Sequence, residues 1–143
     1  MPTATFISHS ATETESLGAQ FGRSAERGLV IALNGELGAG KTQFVRGLAR
    51  GLGSPARVHS PTFTLANEYG GGRLKLFHLD LYRLETEREL LTLGLDEMAE
   101  LPDALVLVEW GEKFPSVMAR ADGEILIEHA GGDERMFYLR VKG

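Results

Sequence analysis

The amino-acid sequence predicts a three-layer α/β fold built around a mixed, partly parallel sheet. Short apolar runs typical of buried strands alternate with segments of helical periodicity. Two pairs of strand-like segments also flank glycine-rich turns, which is the pattern of antiparallel hairpins. The chain has 143 residues, a length that fits a single domain with its own hydrophobic core.

The first half of the chain is predicted as helix, strand, glycine-rich loop and helix. Ser10 followed by Glu13 forms a capping-box pattern, and the helix that starts there is expected to end at Gly28. Residues 29–34, LVIALN, are apolar enough for a fully buried strand. After the glycine-rich loop, apolar residues recur at helical spacing until Gly51.

The second half of the chain is predicted to contain two hairpins, a short helix and a buried strand. The four hairpin strands are predicted at 63–69, 73–82, 124–130 and 135–141. A helical segment near 85–93 is followed by a polar bend. Residues 104–110, ALVLVEW, form the buried strand, and their first charge is Glu109.

The composition excludes several classes of protein. The chain has no cysteine, so disulfides and thiolate zinc sites are ruled out. Its net charge of −5 argues against broad nucleic-acid binding by the chain alone. No signal peptide is visible, and the apolar run at 104–108 is far shorter than the roughly 20 residues of a membrane helix. We therefore expect a cytoplasmic protein without membrane contact.

Residues 35–42, GELGAGKT, match the phosphate-binding pattern G-x-x-x-x-G-K-[S/T] in full. In such a P-loop, backbone N–H groups face the phosphates and the following helix directs its positive end at them. Lys41 would reach the β- and γ-phosphates, and the Thr42 hydroxyl would ligate Mg²⁺. The predicted nucleotide-contacting residues are Gly35, Glu36, Leu37, Gly38, Ala39, Gly40, Lys41, Thr42 and Gln43. Residues 1–143 are thus predicted to be one nucleotide-binding domain resembling P-loop NTPases.

A P-loop site needs a carboxylate for the metal, usually at the end of a buried strand. Glu109 ends the more apolar run, so we predict that it binds the metal together with Thr42. Asp80 ends another strand and is the candidate for positioning the attacking water or sensing the γ-phosphate. The alternative for both is a strand-end acid that is only solvated, as most carboxylates in proteins are.

Other residues near these motifs allow two interpretations. The segment 59–64, HSPTFT, suits either a γ-phosphate-responsive segment or a turn that leads into a strand. His59 and His78 could form a metal or acid–base pair, but hydrogen-bonded structural histidines are the commoner case. For Trp110, which follows Glu109, burial in the core is favoured over contact with the nucleotide.

Four motifs, in this order and spacing, resemble the TsaE (YjeE) family. They are GELGAGKT at 35–42, SPTFT at 60–64, FHLDLYRL at 77–84 and VEW at 108–110. One departure is Gly111, where the family often has proline.

The resemblance implies a cytoplasmic bacterial ATPase that uses ATP and Mg²⁺ and releases ADP. Its implied role is threonylcarbamoyl modification of the adenosine beside the anticodon in tRNAs that read ANN codons. The implied partner is a TsaD–TsaB heterodimer, with tRNA contacted through that complex. By the same resemblance, Lys41 contacts phosphate, Thr42 and Glu109 bind magnesium, and Asp80 is a switch carboxylate.

Two other classes of protein remain open from the residues alone. A small-molecule kinase would need a basic lid, and the segment 83–100, with Arg83 and Arg88, is short and acidic. A nucleotide-gated binding module is the second class, since several arginines are expected near the P-loop face: Arg46, Arg50 and Arg57. A GTPase is disfavoured because the chain has no N/T-K-x-D motif. Lys41 would supply part of the positive charge at the γ-phosphate, and no other basic residue shows the sequence signature of an arginine finger. We therefore expect a slow ATPase that a partner accelerates.

Overall fold

A seven-stranded mixed sheet organises the computed structural model, which describes residues 3–35, 40–55 and 66–141. Its strands are β1 (Thr3–Ser8), β2 (Val30–Gly35), β3 (Ala66–Tyr69), β4 (Lys75–Asp80), β5 (Ala104–Glu109), β6 (Gly123–Gly131) and β7 (Glu134–Val141). Its helices are α1 (Ala11–Ser24), α2 (Lys41–Gly51), α3 (Glu87–Thr92), α4 (Leu95–Ala99) and α5 (Pro115–Arg120). A 3₁₀ turn at Gly111–Lys113 precedes α5.

The strand order is β1-β7-β6-β2-β5-β4-β3. The four central strands β6, β2, β5 and β4 run parallel, whereas β3, β7 and β1 are added antiparallel at the two sides. This arrangement confirms the predicted mixed sheet and both hairpins. Because β2, β5 and β4 are parallel neighbours, their carboxyl ends meet at one edge of the sheet.

Helices cover both faces of the sheet and give three layers. Alternate residues of a strand face opposite sides, so Ile31 and Leu33 pack under α1 and α2 while Val30 packs toward α3, α4 and α5. Phe44 of α2 is 1% exposed and contacts the ring of Phe137 from β7 at a centroid distance of 5.6 Å. Burying a side chain of this kind contributes about 1.5–3 kcal/mol. The apolar faces of the helices thus hold the two cores together.

Helices α1 and α2 cross at unusually short range because both carry glycines four residues apart. A Cβ atom at Gly18 would lie 2.1 Å from the carbonyl oxygen of Phe44, and one at Gly47 would lie 1.8 Å from that of Glu15. A Cβ atom at Gly22 would lie 2.4 Å from the carbonyl oxygen of Leu48, and one at Gly51 would lie 2.1 Å from that of Ala19. The helix that follows the P-loop is therefore fixed against α1 by backbone contact.

Helix α1 begins as predicted and ends earlier than predicted. The Ser10 side chain accepts a hydrogen bond from the Glu13 N–H at 3.1 Å, which caps the first turn. The helix ends at Ser24 rather than at Gly28. Arg73 donates hydrogen bonds to the carbonyls of Gly22 (2.6 Å) and Ala25 (2.7 Å). A distant side chain thus satisfies the C-terminal carbonyls, which local sequence could not reveal.

Three elements were not anticipated from the sequence. Within the described sheet, strand β1 lies at one edge and pairs with β7, so it exists through tertiary pairing. The expected polar bend after α3 contains helix α4, which starts after Gly94 in the left-handed conformation, φ 73°. Helix α5 follows the 3₁₀ turn and has proline at its first position, where proline suits a helix.

Some predicted features lie outside the described residues. These are Glu36, Leu37, Gly38 and Ala39 of the P-loop, Arg57, the segment 59–64 and the first three residues of the strand predicted at 63–69. Within the ranges that are described, no helix has both the length and the apolar character to cross a bilayer.

Candidate functional site

Those predicted site residues that the structure describes converge where the parallel strands end. Gly35, Asp80 and Glu109 are the last residues of β2, β4 and β5. Asp80 and Glu109 are direct partners in the β4–β5 register, and the Glu109 carbonyl accepts a hydrogen bond from the Leu81 N–H at 3.0 Å. Two carboxylates are therefore fixed side by side, although they are 29 positions apart in the chain (109 − 80).

Helix α2 starts at the same edge. Gly40 caps it in the left-handed conformation with φ 99°, which glycine adopts without the steric penalty of other residues. Lys41, Thr42 and Gln43 form its first turn. The N-terminal N–H groups of the helix and the positive end of its dipole lie there, so this turn is suited to bind an anion.

Lys41, Glu109 and His78 form one connected polar network. The Lys41 ammonium (Nζ) lies 3.4 Å from Oε1 of Glu109, and both side chains are only 11% exposed. The other carboxylate oxygen, Oε2, is hydrogen-bonded to Nε2 of His78. His78 is 1% exposed. The predicted phosphate lysine and the predicted metal acid are thus brought together, and a buried histidine holds the acid from the other side.

Asp80 lies beside this network in a different environment. Its Oδ1 accepts a hydrogen bond from the Tyr82 N–H at 2.9 Å, in the turn that follows β4. Asp80 is half-buried, and among the described residues it forms no ion pair with Lys41. The two acids therefore differ: Glu109 is held by a cation and an imidazole, whereas Asp80 is oriented by a backbone amide.

This difference moves the pKa values of the two acids in opposite directions. Partial burial raises the pKa of Asp80, and the nearby charge of Glu109 adds to the rise, while the Tyr82 N–H opposes it. Burial also acts to raise the pKa of Glu109. The His78 hydrogen bond and the Lys41 charge outweigh it and hold the pKa of Glu109 below its ordinary range.

An aromatic pair forms one wall of the site. The Trp110 ring packs against Tyr82 at a centroid distance of 5.0 Å with the ring planes tilted by 54°, and the Lys41 ammonium lies 5.5 Å from the Trp110 ring. Trp110 is the one described non-glycine residue with positive φ, at 63°, a conformation that costs about 1–3 kcal/mol. Tyr82 is 60% exposed. Trp110 packs against the core cluster that includes Leu90 of α3, and it also borders the site. Burial against the core therefore does not exclude a position next to the ligand.

A lysine ties the two carboxylate-bearing strand ends together. Nζ of Lys113 donates hydrogen bonds to the carbonyls of Tyr82 (2.6 Å) and Leu84 (2.7 Å). Lys113 belongs to the 3₁₀ turn after β5, and its acceptors belong to the turn after β4. The loops that follow Asp80 and Glu109 are therefore braced against each other.

The oxygen donors at this edge fit Mg²⁺. The carboxylates of Asp80 and Glu109 and the hydroxyl of Thr42 lie on three elements that meet there. Protein-bound Mg²⁺ usually takes one or two carboxylates and completes its shell with phosphate oxygens and water. Across the described ranges, no three His, Asp or Glu side chains converge as a protein-only metal cage. The donor set therefore suits a metal shared with a phosphate ligand.

A small cavity extends the site beyond the start of α2. It has a volume of about 110 Å³ and is lined by Ser10, Ala11, Thr14, Gly40, Gln43, Asp133 and Arg135. Three parts of the chain supply this lining: the start of α1, the start of α2, and the β6–β7 turn with the first residues of β7. The sequence predicted Gly40 and Gln43 as nucleotide-contacting residues. It did not assign Ser10, Ala11, Thr14, Asp133 or Arg135 to the site, because no local motif marks them as ligand-binding.

The role of His78 was also undecided from the sequence. The structure makes it a hydrogen-bonded histidine, the commoner of the two cases, and its partner is a site residue. His59, its proposed companion, is outside the described residues. Strand alternation in the sequence could have placed His78 near the site, because His78 is two positions before Asp80 and therefore lies on the same face of β4. Identifying Glu109 as the partner required the pairing of β4 with β5.

Comparison with known proteins shows the family of the chain. The family model for "Threonylcarbamoyl adenosine biosynthesis protein TsaE" matches residues 8–137. The tRNA threonylcarbamoyladenosine biosynthesis protein TsaE of Bacillus subtilis (strain 168) is 43% identical over 131 residues, which are 92% of this chain and 81% of that protein. The protein of the same name from Nostoc sp. is 49% identical over 105 residues, 71% of this chain and 64% of its own length.

A solved structure shows the same architecture. The crystal structure of YdiB from Bacillus subtilis has a TM-score of 0.80 and 32% sequence identity, and the match covers 99% of this chain and 87% of that one. The fold and the site define an α/β protein of P-loop type, with β2, the glycine-rich segment and α2 in succession. The chain belongs to the TsaE family, as the four motifs predicted.

Proposed function

We propose that this chain is a Mg²⁺-dependent ATPase that supports formation of threonylcarbamoyladenosine in tRNA. The observation that carries the proposal is the pairing of Lys41 with Glu109 at the first turn of α2. A phosphate-binding lysine and a carboxylate at the end of a buried strand are the two parts that a P-loop hydrolase needs.

The phosphates of ATP would bind at the start of α2. The N–H groups of its first turn and the Lys41 ammonium would neutralise the β- and γ-phosphate oxygens. The cavity lined by Ser10, Thr14 and Arg135 adjoins this turn, so we assign it to the nucleoside part of the ligand. Lys41 is nearly buried, and its charge acts more strongly there than in water.

The two carboxylates have separate roles in this proposal. Glu109 and Thr42 would hold Mg²⁺, which supplies positive charge to the phosphate oxygens when bound. Asp80 would orient the attacking water, and its raised pKa makes it a better proton acceptor than an ordinary aspartate. The water oxygen bonds to the γ-phosphorus as the bond to the bridging oxygen breaks, giving ADP, phosphate and one proton.

The cellular role is drawn from the family. Relatives at 43–49% identity are named as tRNA threonylcarbamoyladenosine biosynthesis proteins. We propose that the chain acts with a TsaD–TsaB heterodimer on tRNAs that read ANN codons, that it contacts tRNA through that complex, and that it does so in the cytoplasm. The net charge of −5 supports indirect contact with tRNA, because a chain that binds RNA by itself is usually basic.

Reconstitution tests this proposal. Purified chain with ATP and Mg²⁺ should release phosphate, and EDTA should stop the release. Addition of the chain to a TsaD–TsaB modification reaction should increase threonylcarbamoyladenosine formation on an ANN-reading tRNA. If the chain releases no phosphate with Mg²⁺, either alone or in the presence of the TsaD–TsaB pair, the proposed ATPase activity is rejected. Phosphate release without any effect on the tRNA would reject the role in modification.

A further inference from the structure

His78 is a buried polar residue, and its packing does not explain why a histidine is present. It is 1% exposed in the middle of the sheet, and its partners in the neighbouring strands are Asn67 and Leu107. Its Nδ1 has no hydrogen-bond partner within the described part of the chain. A buried polar atom without a partner is unfavourable, and leucine could fill this space without that penalty. Packing alone therefore does not account for histidine at this position.

Among the described residues, the side-chain hydrogen bond of His78 goes to a site residue. An ionised carboxylate can only accept hydrogen bonds, so Nε2 of His78 carries the proton that Oε2 of Glu109 accepts. With Oε2 engaged by the imidazole, Oε1 is the oxygen that faces Lys41. The histidine thus fixes the orientation of the carboxylate, with one oxygen directed at the first turn of α2.

We propose that His78 is a positioning residue that holds the Glu109 carboxylate in one rotamer toward the phosphate and metal side of the site. The inference rests on the function proposed above, because it assumes that Glu109 is a metal-side ligand. A glutamate side chain has three rotatable bonds, and ordering them on binding is unfavourable. His78 orders them in advance, since it is itself fixed by its strand and by burial.

Two variants separate positioning from packing. His78→Leu fills the site without a donor, whereas His78→Gln keeps an N–H donor at the end of a side chain of similar reach. Binding of ADP is measured by isothermal titration calorimetry with Mg²⁺ and again with EDTA. Circular dichroism and thermal melting establish that both variants are folded.

The proposal predicts a selective loss of magnesium coupling. His78→Leu should reduce the Mg²⁺-dependent gain in ADP affinity by about 10- to 100-fold, the range found when partners of metal ligands are removed. Its affinity in EDTA should stay within about twofold of the wild-type value, and His78→Gln should retain most of the gain. An unchanged gain in His78→Leu would overturn the proposal, and so would an equal loss in both variants.

The same experiments distinguish failure of this inference from failure of the proposed function. Wild-type protein that binds no nucleotide would reject the function, and the inference with it. Normal wild-type binding with unaffected His78→Leu would reject the inference alone. Imidazole ¹⁵N NMR of the wild-type protein gives a check without nucleotide. The His78 signal is the one that is missing from the spectrum of His78→Gln, and it should show a proton on Nε2. An Nε2 without a proton would overturn the proposal.

Discussion

At the scale of single residues, the central feature is the shared use of Glu109. One oxygen faces the Lys41 ammonium at 3.4 Å, and the other is hydrogen-bonded to His78. Ion pairs with little exposure are strong only when both partners are satisfied. Each substitution in this network should therefore affect binding and stability in ways that can be measured separately.

The first residue-scale prediction concerns Lys41. Lys41→Ala should lower ATP hydrolysis by about 10²–10³-fold, since removal of one preorganised charge at a transition state has an effect of this size. The fold should remain, because Glu109 keeps its bond to His78. Phosphate release and thermal melting test both points. Lys75→Ala, at the start of β4 and 41% exposed, is the matched control, and hydrolysis by Lys41→Ala at the wild-type rate would contradict the site.

The second prediction uses the opposite pKa shifts of the two acids. The lowered pKa of Glu109 means that its ionised form stabilises the fold above pH 4.5. This contribution disappears as pH falls through the lowered value. Glu109→Gln should therefore be less stable than wild type at pH 7, by roughly 1–3 kcal/mol. The difference should shrink in acid below pH 4.5.

Asp80 should behave in the reverse way. Its raised pKa means that ionisation weakens the fold, beginning near pH 3.8 and complete above the raised value. Asp80→Asn should melt at a higher temperature than wild type at pH 7 and equally at pH 3. Its gain should be the smaller effect, because solvent screens a half-exposed group. Thermal melting at both pH values tests the pair, and shifts of the same sign at pH 7 would contradict the assignment.

The third residue-scale prediction uses the single tryptophan. The Trp110 ring lies 5.5 Å from the Lys41 ammonium and packs against Tyr82, so a ligand at Lys41 should change its surroundings. We expect a change in intrinsic fluorescence on titration with Mg²⁺–ADP, and none with Lys41→Ala. Calorimetric binding without a fluorescence change would show that the indole is insulated from the ligand.

At the scale of elements, the crossing of α1 and α2 determines where the P-loop helix lies. Gly18 and Gly22 of α1 and Gly47 and Gly51 of α2 place each backbone against the other. Alanine favours a helix by about 1 kcal/mol over glycine, so propensity alone would make glycine a poor choice at these positions. The close approach of the two backbones explains why glycine is present.

The element-scale prediction follows from this crossing. Gly47→Ala should destabilise the protein by about 1–3 kcal/mol, because the new Cβ would lie 1.8 Å from the Glu15 carbonyl oxygen and force the helices apart. Gly70→Ala is the control, since a Cβ there meets nothing within 4 Å, and it should stay within about 0.5 kcal/mol. Urea unfolding measures both. Equal free energies of unfolding for the two variants would contradict the prediction, because the helices would then separate without loss of stability.

At the scale of the whole molecule, negative charge is concentrated on one side of the sheet. Residues 83–103 contain seven acidic and two basic residues, and they include α3 and α4, which cover the face opposite α1 and α2. This charge makes a phosphate-binding kinase lid unfavourable here. Arg83 and Arg88 are exposed. Among the described residues, the arginine ion pairs lie away from Lys41: Arg50 with Glu15, and Arg120 with Asp96 and Asp122.

The whole-molecule prediction is a slow ATPase that a partner accelerates. An arginine finger can contribute 10³–10⁵-fold to phosphoryl transfer, and no arginine in the described ranges pairs with the Lys41–Glu109 network. A TsaD–TsaB pair could supply this group or order the water site around Asp80. Steady-state ATPase assays of the chain alone, with the pair, and with the pair plus tRNA test this. Rapid turnover alone, unchanged by the pair, would contradict it.

The sequence by itself determined the features that are encoded locally. The phosphate-binding pattern at 35–42, the capping pair Ser10–Glu13 and the buried strands of the parallel core all depend on residues that are neighbours in the chain. Glycine spacing, apolar periodicity and capping side chains act over one or two turns of backbone, so they can be identified without the fold. Four such motifs in order were also enough to indicate the family that comparison then showed.

Only the tertiary structure decided which distant residues meet. His78 and Glu109 are 31 positions apart, and their contact depends on β4 pairing with β5 in one register. Arg73 caps the C-terminal end of α1 by donating a hydrogen bond to the carbonyl of Ala25, which lies 48 positions earlier in the chain. Strand β1 exists through its pairing with β7. Such contacts are set by strand order and by the surface buried between layers, and no local pattern reports either. The imidazole behind Glu109 became visible only when two strand ends were placed side by side.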